Sequence, residues 1–187
     1  MRKIEQRMIN FLDAKLTANG LAQHAIDIKD ARLLFGLACE ACVGIMEKGG
    51  NNKGPMVELL QETIGSADKE PWCMSFVQTC LAYAEVKTGI KSPLFASEHC
   101  RSVWNETPKD QRVKRSPIKY AIVIWGMENS SSGHTGVVLD SAPGQWMKTC
   151  EANTGGGSDR DGDGIFYKKR DWIRTGSLLK LGFLKPF

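Results

Sequence analysis

The sequence predicts an α+β fold, in which helices from the first half of the chain pack on a mostly antiparallel sheet of about five strands from the second half. Three observations carry that prediction. Apolar residues recur at helical spacing as far as about residue 104. Beyond Pro117 they gather instead into short runs rich in β-branched residues. Clusters of Gly, Pro, Ser and Asp separate those runs. With 187 residues, 42% of them hydrophobic and 25% charged, the chain can bury one substantial core.

The elements follow in order. Ile4, Met8, Phe11, Leu12 and Leu16 stand three and four apart, the spacing of an amphipathic helix, which Asn19-Gly20 closes. A longer helix is expected over residues 27–48, ending at Gly49-Gly50. Pro55 suits the first turn of a helix that Gly65 stops. Residues 73–86 form a fourth helix, with Phe76, Val77, Cys80, Leu81 and Ala84 on one side, and Ser97 is placed to cap a short fifth one reaching Trp104. Strands are expected over 120–125, 134–140, 146–151, 164–169 and 178–184.

Composition narrows the function. The formal charge is +4, and residues 85–119 carry the whole excess, with eight basic against four acidic residues. Such a patch favours polyanions, but no strand interleaves it with aromatics and no nucleic-acid motif accompanies it, so nucleic acid is not the expected partner. No apolar run approaches the roughly 20 residues that span a bilayer, so no stable membrane insertion is expected. The first residues are broken by Asn10, Asp13 and Lys15 where a secretory signal would be apolar. The chain is therefore expected in the cytosol of the cell that makes it, with its six cysteines reduced.

Cys73 stands out among the six. It follows Pro71-Trp72 and opens a helix, where unpaired N–H groups and the helix dipole stabilise a thiolate. Those N–H groups also suit an oxyanion. Cys42 and Cys80 fall inside expected helices and lack both advantages. A nucleophilic cysteine needs a base, and the chain offers His24, His99 and His134. His134 follows Ser131-Ser132-Gly133 and leads into a strand, so its ring can be presented at a sheet edge. Glu151 or Asn153, on the next strand, can orient that ring.

Taken together, these segments resemble a CHAP domain, the cysteine, histidine-dependent amidohydrolase/peptidase of the papain-like group. The resemblance rests on Gly50-Asn51-Asn52-Lys53-Gly54-Pro55, Pro71-Trp72-Cys73-Met74-Ser75-Phe76-Val77, Ile122-Val123-Ile124-Trp125, Gly133-His134-Thr135-Gly136-Val137-Val138 and Glu151-Ala152-Asn153-Thr154, in the family's order. Asp161-Gly162-Asp163-Gly164-Ile165 and the closing Gly182-Phe183-Leu184-Lys185-Pro186-Phe187 are also similar, so the likeness spans residues 31–187 and leaves 1–30 as an N-terminal helical extension. It implies a nucleophile at Cys73, a base at His134, an acidic orienter at Glu151 and an assisting asparagine at Asn153. It implies a peptidoglycan hydrolase of the endolysin type, an N-acetylmuramoyl-L-alanine amidase or an endopeptidase, acting as a monomer without metal or organic cofactor. The same chemistry would serve a secreted bacterial amidase toxin, and an inactive wall-binding or virion module would keep the fold alone.

Four further features have two readings each. Trp72 and Trp125 either wall a substrate cleft or fill the core. Asn52 either shapes the groove or makes a turn. Cys39 and Cys42 form a C-x-x-C without the second pair a zinc site requires, so packing is expected. Asp159, Asp161 and Asp163 copy the first half of a calcium loop, but Arg170 stands where the loop's glutamate belongs; a polar turn is expected, with calcium as the alternative.

Overall fold

The computed structural model describes residues 2–115, 117–126, 133–142, 144–155, 162–171, 173–175 and 177–187. The helices among them are α1 (Gln6–Leu16), α2 (Gly20–Asp27), α3 (Ala31–Ala41), α4 (Pro55–Glu62), α5 (Cys73–Thr88) and α6 (Cys100–Glu106). None is long and apolar enough to cross a membrane. The strands are β1 (Arg112–Val113), β2 (Ile122–Gly126), β3 (Gly133–Ala142), β4 (Trp146–Thr154), β5 (Gly164–Asp171), β6 (Arg174–Thr175) and β7 (Leu178–Leu184). They form one antiparallel sheet in the order β1-β7-β2-β3-β4-β5, with β6 beside β7. The α+β class is as expected. The five longer strands correspond to the five expected ones, and the two-residue β1 and β6 extend the sheet where no periodic pattern could announce them.

The helix expected over 27–48 is instead broken twice. Lys29 turns left-handed (φ 57), and the Asp30 side chain accepts the Leu33 N–H at 2.9 Å, capping a new helix. That helix ends with Cys42 as its C-cap, so Cys42 is not inside a helix after all. The chain after it runs beside β5, with the Ile165 N–H donating to Ile45 O and the Gly44 N–H to Ile165 O. Sheet pairing outcompetes helical periodicity there. Near Ser97 the expectation also shifts: its hydroxyl accepts the His99 N–H, while His99 itself is the N-cap of α6 rather than a residue within it.

α5 lies at the centre, with nearly every residue buried, between the other helices and one face of the sheet. Ile122, Ile124, Val137, Leu139, Cys150 and Ala152 supply that face. The alternate residues Val123, Trp125, Val138 and Met147 build a second, smaller core on the opposite face, as the two-residue strand period requires. Residues 2–30 do not stand apart. Met8, Leu12, Leu16, Ala22 and Ala25 belong to the same core as α5. The buried Arg2 guanidinium reaches across it to Gln78, Glu85 and the Leu94 carbonyl.

Candidate active site

The start of α5 puts Cys73 at the first helical position, with Trp72 as N-cap. Its N–H belongs to the first turn, which has no intrahelical carbonyl to bond, and the next N–H, that of Met74, acts on the sulfur. Cys73 is only 6% exposed, and the His134 ring is near enough to lower its thiol pKa by hydrogen bonding and charge.

His134 is the second residue of β3 and pairs with Trp125 of β2. Neighbours in register face the same side of a sheet, and the two rings stack, 5.8 Å between centroids at 19°. His134 Nε2 lies 2.9 Å from Glu151 Oε2 on β4. With Nε2 committed to the carboxylate, Nδ1 is the ring nitrogen left for the sulfur. The glycine after Thr135 has a direct steric reason: a Cβ on Gly136 would lie 2.6 Å from Glu151 Cγ.

Glu151 is fully buried and, with the His134 contact, carries five hydrogen bonds. Arg170 of β5 donates from Nε at 2.9 and 3.1 Å and from Nη2 at 2.5 Å, and the Thr149 hydroxyl donates at 2.5 Å. Burial alone would raise its pKa, but the hydrogen bonds and charges of Arg170 and His134 outweigh it and bring the carboxyl down to about 2. Arg170 is a residue that motif reasoning missed as a site residue. Its signal was the alternation of β5, where Lys168 and Arg170 face the Glu151 side.

The electrostatics favour a thiolate–imidazolium pair. For Cys73, the hydrogen bond from the Cys100 thiol is the largest influence; burial opposes it, and the His134 hydrogen bond and charge and the Met74 N–H add to it. The thiol is held well below its ordinary range. For His134, burial opposes the charge, but hydrogen bonds to Cys73 and Glu151 and their negative charges raise its pKa to about 10. The remaining core thiols go the other way: burial pushes Cys39 up to about 12, and Cys150 is likewise raised, chiefly by burial. Cys100, at the first position of α6, is the second residue missed from sequence. Its sulfur lies 3.9 Å from that of Cys73.

The other expected residues divide. Asn153 takes a left-handed conformation (φ 53), and its buried Oδ1 accepts no hydrogen bond, so Glu151 rather than Asn153 orients the ring. Trp72 and Trp125 are completely buried, which corrects the cleft-wall reading: neither has surface to offer a substrate. Trp72 donates its indole N–H to Glu47 at 2.9 Å, and Trp125 supports the imidazole from behind. Asn52 is 7% exposed and left-handed (φ 56), and its amide donates to the Lys69 carbonyl. It ties two loops together rather than lining a groove. Asp159 and Asp161 lie outside the described residues. Asp163 is exposed and uses its carbonyl to accept the Glu47 N–H. No protein-family model, curated protein or solved structure matches this chain.

Proposed function

We propose that the chain is a cysteine amidohydrolase or peptidase that cuts an amide bond of bacterial peptidoglycan, with a papain-like CHAP arrangement. The observation that carries the chemistry is the hydrogen-bonded chain from Arg170 through Glu151 to His134, beside a cysteine at a helix entrance whose thiol pKa is lowered by Cys100 and by that imidazole. The substrate class comes from the ordered resemblance of the motifs around those same residues.

In this reading the Cys73 thiolate attacks the amide carbonyl, and the S–C bond forms as the carbonyl oxygen takes the negative charge. The Cys73 N–H donates to that oxygen, a contribution of roughly 10²–10³ in rate for one such donor. Imidazolium His134 protonates the departing amine. The now neutral ring takes a proton from water, which attacks the thioester and releases the acid. Glu151, kept ionised by Arg170, holds the ring in one orientation throughout.

The test is clearing of outer-membrane-stripped bacterial cells by the protein beside Cys73→Ala and Cys73→Ser. Clearing by the parent alone supports the reading; equal clearing by all three overturns the nucleophile. Mass spectrometry of the digested sacculi then assigns the bond. New amino termini on alanine alone mark the amidase, and termini on other residues an endopeptidase.

A further inference from the structure

Cys100 has no part in the relay just described, yet its placement beside the nucleophile is specific. Two sulfurs lie 3.9 Å apart, one opening α5 and the other opening α6, and both are nearly buried, at 6% and 5% exposure. Gly133, the residue before His134, keeps the space open: a Cβ there would lie 3.0 Å from Cys100 Cβ and 3.9 Å from its sulfur. Cys100 therefore sits against the start of β3, in space that a methyl group on residue 133 would crowd, and its sulfur faces that of Cys73. A disulfide requires about 2.05 Å between sulfurs, a closure of about 2 Å from the separation seen here.

We propose that Cys100 is a resolving thiol that captures oxidised Cys73 in an intramolecular disulfide, so that peroxide switches the nucleophile off reversibly. The Cys73 thiolate attacks one oxygen of hydrogen peroxide; the S–O bond forms, the O–O bond breaks, and the departing hydroxide leaves as water with the proton of imidazolium His134. The Cys100 sulfur then attacks the sulfenic sulfur. The S–S bond forms, the S–O bond breaks, and a second water carries away the Cys100 proton. Each sulfur gives up one electron, and the peroxide takes both. Without a resolving partner, a sulfenic acid continues to sulfinic and sulfonic acids that thiols do not reverse.

Selectivity follows from the remaining thiols. Cys39, Cys42, Cys80 and Cys150 are also buried together in the core, each completely covered. Burial contributes to keeping all four protonated, and the thiol is the unreactive form. Peroxide therefore acts first on Cys73.

The experiment uses the full chain and needs no substrate, so its outcome is independent of the peptidoglycan reading. The protein is treated with hydrogen peroxide, quenched, alkylated with iodoacetamide and mapped by mass spectrometry without reduction. The expected result is one cross-linked peptide joining Cys73 to Cys100, loss of Cys73 alkylation, and its full return after dithiothreitol. In Cys100→Ser and Cys100→Ala, Cys73 passes to sulfinic and sulfonic acids, and dithiothreitol restores nothing. A map of the oxidised parent that lacks the Cys73–Cys100 peptide overturns the proposal, whether or not either variant folds. So does full recovery, after dithiothreitol, of Cys73 that peroxide has first oxidised in a folded Cys100 variant.

Discussion

Arg170 holds both carboxylate oxygens of Glu151, with its Nε 2.9 and 3.1 Å from them and its Nη2 2.5 Å from Oε2, the oxygen that also meets His134. A buried carboxylate would ordinarily resist ionisation. Here a planar guanidinium from the neighbouring strand stabilises the anion, and the anion in turn holds the imidazole. The hydrogen-bonded chain therefore extends across three adjacent strands, β3, β4 and β5.

Replacing Arg170 should damage both stability and rate. Arg170→Met leaves a buried carboxylate short of its main partner, a change that costs about 3–5 kcal/mol in comparable buried pairs. Arg170→Lys keeps the charge but loses the fork, and should fall between the two. The pH sign follows from Glu151. Its folded pKa of about 2 lies below the unfolded value of roughly 4.3, so its stabilisation is complete above the unfolded value and is lost as pH falls toward 2. In Arg170→Met this acid-linked contribution should shrink as the folded pKa rises, and the lower overall stability should move acid unfolding, followed by circular dichroism, to higher pH.

Alkylation of Cys73 should be fast at neutral pH and nearly flat up to pH 8, because the thiolate is already formed there. An ordinary thiol near pKa 8.5 would instead accelerate about tenfold per pH unit over that range. His134 gives the complementary sign. Its folded value of about 10 exceeds the unfolded value of roughly 6.5, so its contribution to stability is complete below 6.5 and disappears as pH climbs through 10. His134→Ala should raise the pH at which the plateau begins, with the Cys100 hydrogen bond still in place. Iodoacetamide kinetics from pH 5 to 10 measure both effects.

Gly136→Ala is the smallest change expected to disrupt the site. The new methyl group would stand 2.6 Å from Glu151 Cγ, closer than any unstrained contact. Overpacking of this kind costs about 1–3 kcal/mol. Glu151 must retreat from His134, so Cys73 alkylation at pH 7 should slow in the folded variant. Thermal melts and alkylation rates on one sample separate loss of fold from loss of alignment.

Arg2 offers a contrasting case, structural rather than catalytic. Its side chain is 6% exposed and donates to Glu85 at 2.8 Å, with Glu85 itself 8% exposed. Lys91 approaches the same carboxylate from solvent at 3.6 Å and only partly compensates. Arg2→Met should lower the melting temperature by on the order of 10 °C. Well below that temperature, Cys73 alkylation should match the parent, which a stopped assay at 20 °C will check.

Periodicity and residue chemistry by themselves determined much of this protein. The order of helices and strands, the place of Cys73 at a helix entrance and of His134 at a strand start are local properties, written in adjacent residues. So is the preference for Glu151 or Asn153 on the following strand. Tertiary structure decided between those two: strand register and buried hydrogen bonding put Glu151 against the ring and left Asn153 turned left-handed beside it. It also broke the expected helix over 27–48, because pairing with β5 captured the residues after Cys42. Arg170 and Cys100 entered the site only through folding, since a guanidinium 19 residues from its carboxylate and a sulfur 27 residues from its partner leave no periodic trace. Trp72 and Trp125 moved from surface to core for the same reason. Burial is settled by what the rest of the chain packs against a side chain, not by the side chain alone.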